Sequence, residues 1–192
     1  MEYNFYVIGI GLSAGGIDPL KDIIANLPAD INAAIVVLSH VPINSPSKLD
    51  SILKPSTRLR VVTVEDSTEL QAGHLYVMAA GKQLSLNNGA LITSARSPQQ
   101  KINRTIDHLF ISMARDAKDK SLGIILSGAG YDGIEGAKQI EACKGLIIVQ
   151  APETAQFPLM PSALIANDHP DYILTPTDIV EKVVKHVNSV NN

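Results

Sequence analysis

The sequence predicts an α/β protein: a doubly wound, mostly parallel sheet with helices on both faces and an antiparallel β-hairpin at one edge. Three observations predict it. Short apolar, β-branched runs alternate with segments of helical pattern along most of the chain. Several of these runs are apolar throughout instead of at every second residue, the mark of strands buried on both faces of a parallel sheet. The rhythm breaks once, at "GHLYVMAAGKQLSLNNGALITS" (73–94), where alternating strands flank an Asn88-Gly89 turn signal and a hairpin is expected.

Taken in order, a strand at 6–10 leads through a glycine-rich turn to a helix at 18–27, and a strand at 34–38 leads to a helix at 47–53. After the hairpin come a helix at 105–118, a strand at 122–126, a helix at 134–142 and a strand at 146–149. Segments at 161–166, 172–174 and 176–187 complete the pattern. The last helix carries its own start signal, with Thr175 as N-cap, Pro176 at the first helical position and Asp178 in the first turn. No repeat, low-complexity tract or linker divides the chain, so residues 1–192 are expected to form a single domain.

Composition narrows the classes of function. With 45% hydrophobic and 18% charged residues the chain can bury an ordinary globular core. A net charge of −3 offers no basic footprint for nucleic acid. The single cysteine, Cys143, allows neither an internal disulfide nor a thiolate metal site and favours a reducing compartment. Glu2 stands where an export signal needs positive charge, and no apolar run approaches the ~18 residues of a membrane span. A cytoplasmic protein without membrane insertion is expected, with no metal and no cofactor.

The chemistry concentrates at strand ends, where open parallel sheets bind their ligands. "YVIGIGLSAGGIDPL" (6–20) permits two readings, a dinucleotide fingerprint at Gly9-x-Gly11-x-x-Ala14 and a nucleophile turn at Gly11-x-Ser13-x-Gly15. A dinucleotide site wants an acidic residue at the end of the second strand, and Ser39-His40 stands there instead. A phosphate loop wants Gly-Lys-Ser/Thr, and Ile17-Asp18 follows the glycines instead, with Asp18 repelling an anion at the helix start. Ser13, His40 and Asp132, the last in the loop "SGAGYDG" (127–133), each follow a predicted strand. Converging on one crevice, they form an activated serine: nucleophile, general base, and a carboxylate orienting the base. Each has a plainer alternative, Ser13 and Asp132 as helix caps or turn residues and His40 as a hydrogen-bonded loop residue. The order Ser, His, Asp and the position of the turn on the first strand exclude an α/β-hydrolase arrangement.

Six segments in order resemble the catalytic domain of the chemotaxis receptor methylesterases, the CheB family. They are "IGLSAGG", "LSHVPINSPSKLDSIL", "LQAGHLYVMAAGKQLSL", "TIDHLFISMA", "ILSGAGYDGIEGAKQI" and "IVQAPETAQFPLMPSALI". The resemblance implies a protein-glutamate methylesterase in which Ser13 is the nucleophile, His40 the base and Asp132 the orienting acid. The backbone N–H groups of Ala14 and Ala129 would form the oxyanion hole. It implies methylated chemoreceptor cytoplasmic helices as partners and allows deamidation of receptor glutamines as a companion reaction. With the nucleophile strand at residue 6, the chain is expected to lack the family's N-terminal phospho-receiver domain, which leaves room for a separate regulator or receiver protein among its partners. The sequence departs from the family pattern at Ala14 (for Thr), Gln83 (for His), Ala129 (for Met), Ala151 (for Asp) and Leu159 (for Gly). The alternative is a catalytically degenerate member serving as a receptor-binding or scaffold module.

Overall fold

The computed structural model describes residues 2–39, 48–79, 81–95 and 104–189. In chain order the elements are β1 (Tyr6–Leu12), α1 (Ile17–Asn26), β2 (Ala33–Ser39), α2 (Leu49–Leu53), β3 (Arg60–Val64), β4 (Thr68–Glu69), β5 (His74–Met78), β6 (Lys82–Asn87) and β7 (Ala90–Ala95). There follow α3 (Thr105–Ala117), β8 (Ser121–Ile125), α4 (Ile134–Ala142), β9 (Leu146–Gln150), α5 (Leu159–Asn167), β10 (Tyr172–Leu174) and α6 (Pro176–Asn188). Seven strands make one parallel sheet in the order β10-β9-β8-β1-β2-β5-β3, and β4, β7 and β6 make a small antiparallel one.

β1 lies at the centre and is buried along its whole length, as the unbroken apolar run predicts. Its side chains divide the core. Tyr6, Ile8, Ile10 and Leu12 join Leu20, Ile23 and Ile24 of α1 and Ile179, Val183 and Val187 of α6 on one face. Val7 joins the cluster of the other face, with Ile106, Phe110 and Met113 of α3, Ile140 of α4 and Met160 of α5. Gly9 and Gly11 let α3 press against the strand, since a Cβ at Gly11 would lie 2.8 Å from Ile106 and one at Gly9 2.7 Å from Phe110. The glycines of the apparent dinucleotide fingerprint therefore serve helix packing.

The doubly wound class stands, and two details differ from expectation. Arg60–Val64 forms an edge strand that the apolar-run criterion overlooks, because Arg60 and Thr63 face solvent and only Val64 is fully buried. His74–Met78, read as an arm of the hairpin, instead joins the parallel sheet between β2 and β3. It is buried from Leu75 to Met78, which explains its unbroken apolar character. The hairpin itself is β6–β7. It turns at Asn88 (φ 49°) and Gly89 (φ 79°), the two left-handed residues of a type I′ turn. Instead of extending the main sheet it packs on α3, where the Leu86 N–H donates to Ser112 Oγ (2.9 Å) and the N–H groups of Asn88 and Gly89 donate to the Asp116 carboxylate (3.0 Å each). The start of α6 is as expected, with the Asp178 N–H donating to Thr175 Oγ1. Among the described residues no helix is long and apolar enough to cross a membrane.

Near the end of α4, three acids meet. One Asp168 carboxylate oxygen is buried without a donor, and the Asp171 carboxylate accepts the Ile147 N–H at 2.8 Å. Burial, then the charge and hydrogen-bonding proximity of Asp168, then the charge of Asp171, push Glu141 from 4.5 up to about 7. A proton on Glu141 gives Asp168 the donor it lacks. The folded state thus binds more protons than the unfolded chain between these values, and stability falls as pH rises through that window. Glu141→Gln is expected to leave the melting temperature unchanged at pH 5 and to raise it at pH 8. The gain should be no more than roughly 2 °C, because the site is largely open to screening solvent. Thermal melts at the two pH values check this, and an equal effect at both would contradict the proton-sharing account.

Candidate active site

The loops after β1 and β8 leave the sheet toward opposite faces, one into α1 and the other into α4. Such a divergence opens a crevice at the C-terminal ends of two adjacent strands. Ser13 stands there, half-buried, directly after β1. Its turn closes through the Gly16 N–H to Ser13 C=O bond (3.1 Å), with Gly15 left-handed at φ 70°. The N-cap of α1 is Gly16, with no side-chain cap, so Ser13 is not spent on holding the helix.

The β8 loop is fastened to this turn. The Ser13 N–H donates to Ser127 C=O (3.0 Å), and Ser127 Oγ donates to Ala14 C=O (2.9 Å) while accepting the Phe157 N–H (3.0 Å). The next residue, Gly128, lies so close that a Cβ there would sit 3.0 Å from Ser13 Cβ and 2.5 Å from Met160 Sδ. Gly128 also bonds through both backbone groups, its N–H to Phe157 C=O and its C=O to the Met160 N–H (2.9 Å each). Gln150, at the end of β9 and 1% exposed, accepts the Ser127 N–H on Oε1 (2.9 Å) and donates from Nε2 to Thr154 C=O (3.1 Å). Three strand ends are thereby tied into one rigid rim. Ala14 and Ala129 are exposed on it, and among the described residues neither N–H donates to a backbone carbonyl.

Asp132 is buried, with its carboxylate against the start of α3. Oδ2 accepts the Ile106 N–H and Oδ1 the Asp107 N–H, both at 2.9 Å. Asp107 returns the arrangement. Its Oδ1 accepts the Gly133 N–H (3.1 Å) and the Gly136 N–H (2.8 Å) at the start of α4. Neither helix caps itself with its own N-cap side chain, so each carboxylate caps the other's helix, where the macrodipole favours negative charge. Burial pushes Asp107 above the usual carboxylate range. The charge of Asp132 pushes the same way, and the N–H groups of Gly136 and Gly133 pull it back.

The predicted Ser13 and Asp132 therefore belong to loops on the two adjacent strand ends, β1 and β8, with Ala14 next to Ser13 in the first loop and Ala129 in the second. β2 runs alongside and ends at Ser39, paired with Leu12, so the strand before His40 finishes next to the strand before Ser13. His40 itself lies outside the described residues. Asp107, Ser127 and Gln150 join the site without a role that the sequence assigns them. Their signal was a polar residue within or at the end of an apolar run. Of the six buried polar or charged residues among the described ones, five (Thr105, Asp107, Ser127, Asp132 and Gln150) belong to this end of the molecule. Elsewhere, His74 bonds Ala72 C=O, His186 packs edge-on against Tyr6, and His108 and His169 are exposed.

Comparison with known proteins agrees with this architecture. The family model for CheB methylesterase matches residues 8–183. A relative from Leptospira interrogans, provisionally named a protein-glutamate methylesterase/protein-glutamine glutaminase, is 32% identical over 183 residues and 95% of each chain. The protein-glutamate methylesterase/protein-glutamine glutaminase of Thermotoga maritima is 32% identical over 94% of this chain and 54% of its own length. The chain thus spans about half of that relative. The crystal structure of the Thermotoga maritima CheB methylesterase catalytic domain superposes with a TM-score of 0.88 at 29% identity, over 96% of this chain and 100% of that one.

Proposed function

The chain belongs to the CheB methylesterase family, and on that premise we propose that it hydrolyses glutamyl methyl esters on the cytoplasmic helices of chemoreceptors through Ser13, His40 and Asp132. The observation that carries the reading is the placement of Ser13: at an open strand end, free of capping duty, and fastened to the loop that leads to Asp132. His40 takes the hydroxyl proton as Ser13 Oγ attacks the ester carbonyl. Collapse of the tetrahedral intermediate breaks the bond to the methoxy oxygen, which leaves as methanol with the proton from His40. Water then attacks the acyl-enzyme with His40 again as base, returning Ser13 and the free carboxylate.

Asp132 fixes the imidazole tautomer and offsets its positive charge during the transfer. A carboxylate has about four acceptor positions, and the start of α3 uses two of them. The N–H groups of Ala14 and Ala129 receive the oxyanion, and one such donor is worth roughly 2.7–4 kcal/mol. The same acyl-enzyme would form from a glutamine side chain with ammonia leaving, which gives deamidation as a companion activity. The reaction takes place in the cytoplasm.

The test is methanol release from a methylated receptor cytoplasmic fragment by wild type and Ser13→Ala. Release by wild type and a loss of at least about 10³-fold in the variant is the expected result. Equal release by both would exclude Ser13 as nucleophile. No release by wild type from any methylated receptor would favour a binding or scaffold module.

A further inference from the structure

Three large apolar side chains stand exposed on segments that meet at this end of the sheet: Tyr131 (66%) in the loop that carries Asp132, Phe157 (40%) against the Ser13 turn, and Leu159 (43%) at the start of α5. The chain has only 5 tyrosines and 3 phenylalanines, so leaving two of their rings in water beside the candidate site is costly and local. Elsewhere the exposed Tyr172 ring is covered by Lys182, whose Nζ stands 3.7 Å from its centroid. Nothing comparable covers the rim residues among the described ones. Exposed apolar side chains gathered next to a reactive group mark a surface that meets a partner.

Phe157 is held in place before any partner arrives. Its N–H donates to Ser127 Oγ and its C=O accepts the Gly128 N–H. Its ring edge lies against the nucleophile turn, where a Cβ at Gly15 would sit 2.9 Å from Phe157 Cδ2. Pro158 follows with φ −78° and leads into Leu159 at the start of α5. A rigid aromatic anchor loses little entropy on binding, as interface hot spots require. An esterified side chain reaching Ser13 from a helix carries its i±3 and i±4 neighbours roughly 5–6 Å to one side, the scale of a step from one rim residue to the next.

We propose that Tyr131, Phe157 and Leu159 form an apolar seat beside Ser13 that receives a nonpolar side chain one helical turn from the esterified glutamate, and so select substrate sites by their neighbours. The inference rests on the esterase reading above. None of the three side chains carries charge and only the Tyr131 hydroxyl can hydrogen-bond, so charged and amide residues at that spacing lose their hydration with little compensation.

Two helical receptor fragments with the same glutamyl methyl ester, one with Leu and one with Gln one turn away, are compared by methanol release. Wild type is expected to favour the leucine fragment by about tenfold in kcat/KM, the range one apolar contact can supply. In Phe157→Ala, Leu159→Gly and Tyr131→Ala the ratio should fall to within about twofold. The ratio within each variant is the readout, so a general loss of rate does not mimic the effect. Tyr131→Ala, at a side chain mostly in water, guards against a folding artefact. Equal wild-type rates on the two fragments, or a preference that survives in the variants, overturns the seat alone. Release from neither fragment overturns the esterase reading and the seat with it.

Discussion

An Asp132→Asn variant is expected to lose about four orders of magnitude in kcat for methanol release, the cost of leaving the general base in the wrong tautomer. It should also lose about 1–3 kcal/mol of stability. Both effects follow from how the carboxylate is used. Each oxygen accepts one N–H from the first turn of α3, so an amide must turn its NH2 toward a backbone donor whichever way it flips. One N–H at the start of α3 loses its acceptor, and the group proposed to orient His40 loses its charge. Steady-state kinetics and denaturant unfolding separate the two losses. Unchanged kcat in a variant with the expected stability loss would leave Asp132 as a helix cap and nothing more.

The second large effect is expected at Asp107, in stability. Asp107→Ala strips the acceptor from the Gly133 and Gly136 N–H groups inside a buried junction. The cost should be about 2–4 kcal/mol, a fall in melting temperature of roughly 5–15 °C for a chain of this size. Asp107→Asn should behave differently, because both N–H groups share one oxygen, Oδ1, and an amide oxygen can accept both. It also removes a charge that burial and Asp132 disfavour. The raised pKa makes wild type lose stability as pH rises out of the ordinary carboxylate range, so the advantage of Asn over Asp should grow with pH there. Melts of the two variants at several pH values decide the matter. If Asn is as damaging as Ala, the two N–H bonds are not what Asp107 contributes.

These contrasts show which parts of the site could be read in the sequence. The Ser13 turn was legible as a structural pattern because that pattern is local: a buried strand, a glycine-rich turn and a serine occupy fewer than a dozen consecutive residues. Asp132 was legible as a polar residue in a glycine-rich loop after a strand, but its two partners lie 25 and 26 positions earlier. A sequence search for caps looks within three residues and so points to α4, whereas the carboxylate caps α3. The same distance hides Asp107, whose N–H partners lie 26 and 29 residues away. Gln150 is silent in the sequence because a polar residue closing an apolar strand could serve any neighbour, and here it serves the loop of the adjacent strand.

What the sequence by itself determined is the set of elements whose cause is local. Short β-branched apolar runs favour strands covered on both faces, Asn88-Gly89 can supply the left-handed pair that a tight hairpin needs, and Thr175-Pro176 prepares a helix start. Tertiary structure decided where each strand pairs and which helix each carboxylate serves. β3 is a strand because β5 offers it an edge, although its own residues are half exposed. β5 left the hairpin for the parallel sheet because both its faces could be buried there. Hydrogen bonds and buried surface between segments far apart in sequence depend on the whole packing at once, so no window of residues carries their signal.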